Sequence, residues 1–359
     1  MEKNSKVIAF YLPQYHPTNR NDEWWGKGFT EWTNVAKAKK LFPGHYQPHI
    51  PADLGFYDLR LPEARKAQAD MARKYGISGF CYYHYWFENG FEELERPFDE
   101  VVNSGEPDFP FCLCWANESW YAKFWNMDGS VDKKMLAEQK YLGKEDNEVH
   151  FYRLLKAFKD KRYIRLDGRL VFVIYKPFAF VGIKEFMLQW NTLAEKNGLP
   201  HFYFIAYNLH VEKDYDALKS MGYDAIINCR LYDVGRSHNF ITRVYEKLRL
   251  LLNIPLVIDY KKHYKELVGP YDCKEDVIPT IVPNWDHTPR SGRAGRVFVN
   301  ANPEVFEKHV AQVFSLLCSK NSDGKICFLK SWNEWGEGNY VEPDLKYGMG
   351  FLDVIKKYF

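Results

Sequence analysis

Two glutamates, Glu334 and Glu337, stand three residues apart in the segment SWNEWGEGNYVEPD (331–344). Carboxylates that meet at one cavity suit cleavage of a glycosidic bond. One handles the proton of the leaving oxygen, and the other stabilises or attacks the anomeric centre. Gly336 and Gly338 permit a tight turn around the pair. A bare E-x-x-E spacing is common on helix surfaces, but here it follows a buried-type run and is set within WNEW. Glu118, in CWANES, is the rival carboxylate for acid/base work, whereas Glu342 and Asp344 read as loop structure.

To bring such groups to one place the chain needs a scaffold, and its pattern supplies one. Short apolar, β-branched and aromatic runs recur at 7–15, 77–86, 109–118, 169–177, 201–209, 223–231, 277–286 and 325–334. Helical periodicity lies between most of them. The segment 62–76 opens with Pro62 and stops at Gly76, and 146–160, 182–198 and 302–320 behave alike, the last opened by Asn302-Pro303. One or two further helices are predicted around 239–252 and 257–267. Apolar strands alternating with amphipathic helices indicate a parallel sheet covered by helices. Eight such units closing on themselves make a (β/α)8 TIM barrel of the α/β class, which exceeds 250 residues as one domain. A doubly wound sheet would usually carry a Gly-rich phosphate turn after its first strand, and LPQYH stands there instead. Although length alone suggests about two domains, no linker or repeat divides the chain, and one catalytic domain over 1–359 is expected.

Barrel active sites lie at the carboxyl ends of the strands. Those ends carry Tyr11, Gln14, Tyr15 and His16; then Tyr83, His84, Tyr85 and Trp86; then Trp115, Asn117 and Glu118. Further along come Tyr175, then Tyr207 and Asn208, then Asn284, Trp285, Asp286 and His287, and finally Trp332, Asn333, Glu334, Trp335 and Glu337. A ring at such a position lines the mouth or packs under the covering helices. Taken as a set, they predict a mouth made for a sugar, whose CH faces pack on aromatic planes while carboxylates and amides bind its hydroxyls. A phosphate would call for Gly-rich backbone or Arg/Lys clusters. The one basic cluster near the mouth is Arg290, Arg293 and Arg296, a solvated loop or a seat for an anionic sugar or leaving group.

Composition sharpens the exclusions. With 49 basic and 47 acidic side chains the formal charge is +2, which gives no electrostatic reason to expect nucleic acid or an anionic membrane as partner. Hydrophobic residues at 46% argue against bulk disorder. No run approaches the roughly 18–20 apolar residues of a membrane helix, and no secretory h-region precedes the first strand. A cytoplasmic location is expected, or a periplasmic one if a signal was removed. The seven cysteines have no framework spacing and sit mostly in apolar runs, as small buried hydrophobes do; no metal site is expected. The outlying figure is the 17% aromatic content, 26 Phe, 25 Tyr and 11 Trp, whose Tyr and Trp carry polar atoms that want partners.

The blocks YLPQYHP, GFCYYHYWF, CWANESW, PNWDHTPR and WNEWGEG, in this order over nearly the whole chain, resemble the WbsX-like branch of the glycoside hydrolase family 99 group. Family 99 comprises (β/α)8 endo-α-1,2-mannosidases and mannanases, and WbsX-like proteins are often encoded with O-antigen or other lipopolysaccharide and surface-polysaccharide genes. The resemblance implies that Glu334 is the base for the sugar's 2-hydroxyl and Glu337 the general acid/base at the glycosidic oxygen. It implies a retaining reaction through a 1,2-anhydro sugar, with an oligosaccharide or polysaccharide as partner and no metal, nucleotide or other cofactor. One departure is Gly336, which lies where many family 99 members have His. The leading expectation is therefore a retaining glycoside hydrolase or transglycosylase acting on α-mannoside-like or other surface glycans. The alternative is a glycosyltransferase of O-antigen assembly: the missing leader favours it, and the lack of a DxD-type signature and a second nucleotide-binding domain weighs against it. A catalytically silent carbohydrate-binding barrel is the third reading, against which both glutamates speak.

Overall fold

The computed structural model describes residues 5–125, 131–235, 249, 254–321 and 325–359. The eight apolar runs are its eight barrel strands: β1 (Lys6–Tyr11), β2 (Ile77–Glu88), β3 (Phe111–Trp115), β4 (Arg169–Ile174), β5 (Phe202–Asn208), β6 (Ala225–Asn228), β7 (Val277–Ile281) and β8 (Ile326–Leu329). Each pairs in parallel with its neighbour in sequence. β1 also pairs with β8, Lys6 opposite Ile326 and Ala9 opposite Leu329, so the sheet closes into a barrel. The predicted TIM barrel is the observed fold.

The main helices follow the sequence signals. Thr18 caps α1 (Asn19–Trp25) by accepting from the Asn21 amide, and α2 (Glu31–Lys37) follows it. The covering helices include α3 (Pro62–Lys74), α4 (Arg96–Ser104), α5 (Lys144–Phe158), α6 (Ile183–Lys196), α7 (Val211–Ser220), α8 (Pro303–Ser319) and α9 (Gly350–Tyr358). α3 and α8 both start on Pro, and Asn302 caps α8 through the Val305 amide. The helix expected at 257–267 begins instead as a strand, Leu256–Asp259, with helical turns from Tyr260 onward. Its β-branched run pairs with Arg296–Val299 outside the barrel, and that tertiary partner overrides the helical periodicity. The helix expected at 239–252 falls outside the described residues, apart from position 249.

Alternation along the strands sorts the aromatic residues into two layers. Phe10 crosses the barrel interior to meet Tyr207 of β5 at 5.7 Å between ring centroids, and Phe328 of β8 at 5.1 Å. Tyr83 stacks on Phe10 from β2, and Cys81, Cys112 and Cys114 cluster on the same inner side. Their neighbours point out to the helices: Phe172 packs on Trp190 of α6 at 4.8 Å. Five of the seven cysteines are buried and all are free thiols.

The connection from β1 to β2 is long and carries α1, α2 and an extended stretch before α3. It lies against the loop after β8. Leu12 exchanges hydrogen bonds with the Asn333 side chain, 2.8 and 3.1 Å, and the α2 residue Trp32 packs on Trp335 at 5.6 Å. Thus two segments far apart in sequence frame one end of the barrel.

Candidate active site

Beyond β8 the chain continues in a compact hook. Asn333–Glu334 pairs antiparallel with Asn339–Tyr340, and a single helical turn, Trp335–Glu337, joins them. Gly338 completes the reversal at φ +58, where a Cβ would stand 2.8 Å from that of Asp286, so both backbone angle and space demand glycine. The hook is pinned from within: Ser331 Oγ accepts from the Glu334 amide at 2.9 Å and donates to the Asn339 carbonyl at 2.8 Å. The Trp335 ring stacks on Tyr340 at 3.7 Å, and its indole N–H donates to Glu342 at 2.6 Å.

This hook brings Glu334 and Glu337 to one site with opposite electrostatic surroundings. Burial pushes the Glu334 carboxyl above its ordinary range, opposed by the Lys330 ammonium that it contacts. Lys330 is itself buried and donates to the Tyr83 hydroxyl at 2.9 Å. Burial also acts on Glu337, but there the Arg290 guanidinium wins, with Lys330, His287 and the Trp285 indole adding to it, and the carboxyl falls to about 2. Arg290 Nη1 donates to Glu337 Oε1 at 2.5 Å and Arg290 Nε to Glu31 Oε1 at 2.8 Å. His287 Nε2 lies 3.8 Å from Glu337 Oε1. The Arg290 charge is shared between two carboxylates and is no free seat for an anionic sugar. Arg296, for its part, donates to the Tyr232 carbonyl.

Around the pair the inner wall supplies tyrosines. Tyr83, Tyr85, Tyr175 and Tyr207 all have their hydroxyl acidity suppressed, chiefly by burial, and all feel the Glu334 charge. Tyr175 stacks on Tyr207 at 4.8 Å and 26°. The two border a depression of about 190 Å³ that also touches Lys176, Phe178, Asn208 and His210. Glu118 further weakens the acidity of Tyr85 and Tyr175 through its charge, is largely exposed, and pairs with Lys176 at 3.3 Å. Trp285 packs edge-on against Tyr232 at 5.0 Å.

Several expected binding residues are not at this surface. Tyr11, His84, Trp86, Trp115 and Trp332 point outward beneath the helices. Tyr11 donates to Gln68 of α3 at 2.6 Å. His84 and Trp86 meet His150 of α5, the latter stacked at 4.5 Å. Trp115 packs on Phe186 of α6, and Trp332 on Phe80. Strand alternation is the reason for Tyr11, His84, Trp86 and Trp115, each one step out of phase with Phe10, Tyr83, Tyr85 or Cys114, whereas Trp332 lies beyond the last residue of β8. Asn117 ties the Lys176 backbone at 2.7 and 3.0 Å and Asn333 ties Leu12, while Asn208, which does border the depression, donates to Asp214 of α7. Tyr15 is buried under the hook, where its hydroxyl bonds to the Asn333 carbonyl and the Trp335 amide. His16 bonds to the Pro13 carbonyl, and its burial lowers its basicity to about 4. Asp286 is enclosed: His45, Gln47 and the Thr288 hydroxyl bond to its carboxylate at 2.7, 2.6 and 2.6 Å.

The residues that sequence reasoning missed are Lys330, Glu31 and Trp120. Lys330 carried a signal, a lone cation in the apolar run ICFLK four residues before Glu334. Trp120, edge-on to Tyr85 at 4.9 Å, was visible within CWANESW. Glu31 reaches the hook only through tertiary folding. Among the described residues no group of three His, Cys, Asp or Glu side chains is placed to hold a metal ion, and no helix is long and apolar enough to cross a membrane.

Residues 7–355 match the family model described as Glycosyltransferase WbsX. The chain is 33% identical over 356 residues to the uncharacterized protein WxcX of Xanthomonas campestris pv. campestris, in two strains. The match covers 98% of this chain and 49% of WxcX, so the chain spans about half the length of the curated relatives it matches. Among solved structures it is similar to a glycoside hydrolase-like protein, with a TM-score of 0.58 and 17% identity over 99% of this chain and 93% of the other. It is also similar to the GH99 endo-alpha-mannosidase from Bacteroides thetaiotaomicron, with a TM-score of 0.55 and 13% identity over 100% and 97% of the two chains. At these identities the structural likeness speaks for the barrel alone.

Proposed function

The chain belongs to the Glycosyltransferase WbsX family, and on that premise we propose that it is a carbohydrate-active enzyme that breaks or exchanges glycosidic bonds of surface glycans. The reaction we assign is a metal-independent retaining hydrolysis or transglycosylation on α-mannoside-like or related sugars. The observation that carries this reading is the carboxylate pair on one hook, buried Glu334 against Lys330 and half-buried Glu337 against Arg290, beside a wall of tyrosines.

In the proposed mechanism Glu334 takes the proton of the 2-hydroxyl while O2 closes on the anomeric carbon. Glu337 gives its proton to the departing glycosidic oxygen. The 1,2-anhydro sugar is then opened at the anomeric carbon by water or an acceptor hydroxyl, whose proton returns to Glu337, while O2 recovers its own from Glu334. Configuration is retained because the anomeric centre is inverted twice. Lys330 suits this cycle by favouring the ionised form of Glu334. Arg290 opposes it, since a proton donor at neutral pH needs a carboxyl that is not held ionised.

The family's description favours a second reading, transfer from an activated donor. Incubation with α-mannosides and surface-polysaccharide oligosaccharides, with and without nucleotide sugars, separates the two. Product released without a nucleotide sugar supports the hydrolase or transglycosylase, and product formed only when one is present overturns it.

A further inference from the structure

Glu31 lies 259 positions before Arg290, near the start of α2, and is 1% exposed. Its carboxylate enters the catalytic hook at one particular point. A Cβ built on Gly336 would stand 1.5 Å from Glu31 Oε1, 2.6 Å from its Cδ and 3.2 Å from Arg290 Nε. The φ of Gly336 does not lie in the left-handed region. Glycine is therefore required here for space, and the occupant of that space is a carboxylate from another part of the chain.

We propose that Glu31 is a positioning residue for Glu337: it draws the Arg290 guanidinium toward α2 through the opening that Gly336 leaves, so that Glu337 shares this cation with a second carboxylate. The inference rests on Glu337 being the proton donor. It goes beyond that reading by naming what draws part of the Arg290 charge away from the donor. The charged and titratable groups facing Glu337 are Arg290 and His287 from the loop after β7, Lys330 and Glu334 from the chain after β8, and Tyr232 and Tyr175 from the loops after β6 and β4. Arg290 touches both Glu337 and Glu31. Removing the Glu31 charge leaves Arg290 wholly to Glu337 and favours its ionised form. Removing Arg290 does the reverse.

The test is the pH profile of kcat in three variants. Glu31→Gln moves the basic limb to lower pH and lowers kcat at pH 7, about tenfold for each pH unit that the limb travels, with KM little changed. Arg290→Met moves the same limb upward by about 1–3 pH units, the usual effect of one close charge. Gly336→Ala puts a methyl where the Glu31 carboxylate stands and reproduces the movement seen in Glu31→Gln, and combining the two adds little more. An unmoved limb in Glu31→Gln, or a movement in the same sense as Arg290→Met, overturns the proposal. A Gly336→Ala profile like that of the unmodified protein overturns it as well, and remains informative if Glu31→Gln does not fold. If instead Glu337→Gln keeps its activity, the parent reading fails, and that result is distinct from these.

Discussion

Lys330 and Glu334 face each other on the inner side of the chain just beyond β8, ammonium against carboxylate, each about one-twentieth exposed. Burial alone would drive such a carboxyl toward its neutral form. Lys330 is the largest influence in the other direction, so its removal raises the Glu334 pKa further. A base must be ionised to act. Lys330→Met therefore moves the acid limb of kcat/KM to higher pH, by about 1–3 pH units, while Lys330→Arg keeps most of the original profile. An acid limb that stays in place in the Met variant counts against Glu334 as the base.

Glu334→Gln and Glu337→Gln each lose at least about 10²-fold in kcat, the usual contribution of a general acid or base. Glu118 is largely exposed and paired with Lys176, so Glu118→Gln changes kcat by far less. Steady-state kinetics on one oligosaccharide substrate decide the matter. The assignment is wrong if Glu118→Gln abolishes turnover and Glu337→Gln does not.

The Tyr175–Tyr207 stack beside the depression suits the face of a sugar ring. Tyr175→Ala raises KM roughly tenfold, in line with about 1–1.5 kcal/mol for one aromatic contact, and leaves the pH limbs in place. Trp115→Ala, beneath α6, instead lowers stability by about 3–5 kcal/mol and shows its effect in the melting temperature. Equal effects of the two on KM would erase the distinction between inner and outer layers.

Asp286 accepts from three side chains and the Thr288 amide, and these bonds hold its carboxyl below the usual range despite burial, which acts the other way. A depressed carboxyl gives stability that is present above its unfolded value and is lost as pH falls through the folded one. Asp286→Ala leaves those donors unsatisfied and costs about 2–4 kcal/mol. Denaturant titration at pH 7 measures this, and its difference from the unmodified protein shrinks in acid.

Glu342 has the opposite sign. Burial raises it to about 7, although Trp335, Gln68 and Tyr57 donate to it. The folded state then binds the proton more tightly than the unfolded chain, so this group's contribution to stability declines as pH rises from about 4.5 to 7. Glu342→Gln removes that decline. Melting temperatures at pH 5 and pH 8 move closer together in the variant, and an unchanged gap would contradict the assignment.

How far the sequence could be read depends on which physical rule was at work. Eight apolar runs separated by helical segments are a local pattern, so every barrel strand was legible. The glutamate pair was legible too, because Gly336 between the two and Gly338 just after them mark a turn within one short segment. Strand ends were harder. Tyr83, His84, Tyr85 and Trp86 look alike as candidates, yet alternation sends the first and third inward and the others to α5. Asp286 looked like a sugar ligand, but His45 and Gln47, from the long connection after β1, occupy one of its oxygens and Thr288 the other. Glu31 had no sequence signature at all, since its contact with Arg290 arises where α2 meets the hook.

The pairing of β1 with β8 has a temporal meaning. Both carboxylates ride on the chain that leaves the eighth strand, and Leu12 bonds to Asn333 across 321 positions. Contacts of such sequence separation form late, because the loop they close must first be ordered. Until the ring is sealed, Glu334 lacks the Tyr83 wall and Glu337 lacks its share of Arg290. On the proposed reading, a partly folded or newly emerging chain is therefore chemically silent, and competence arrives with the last seam.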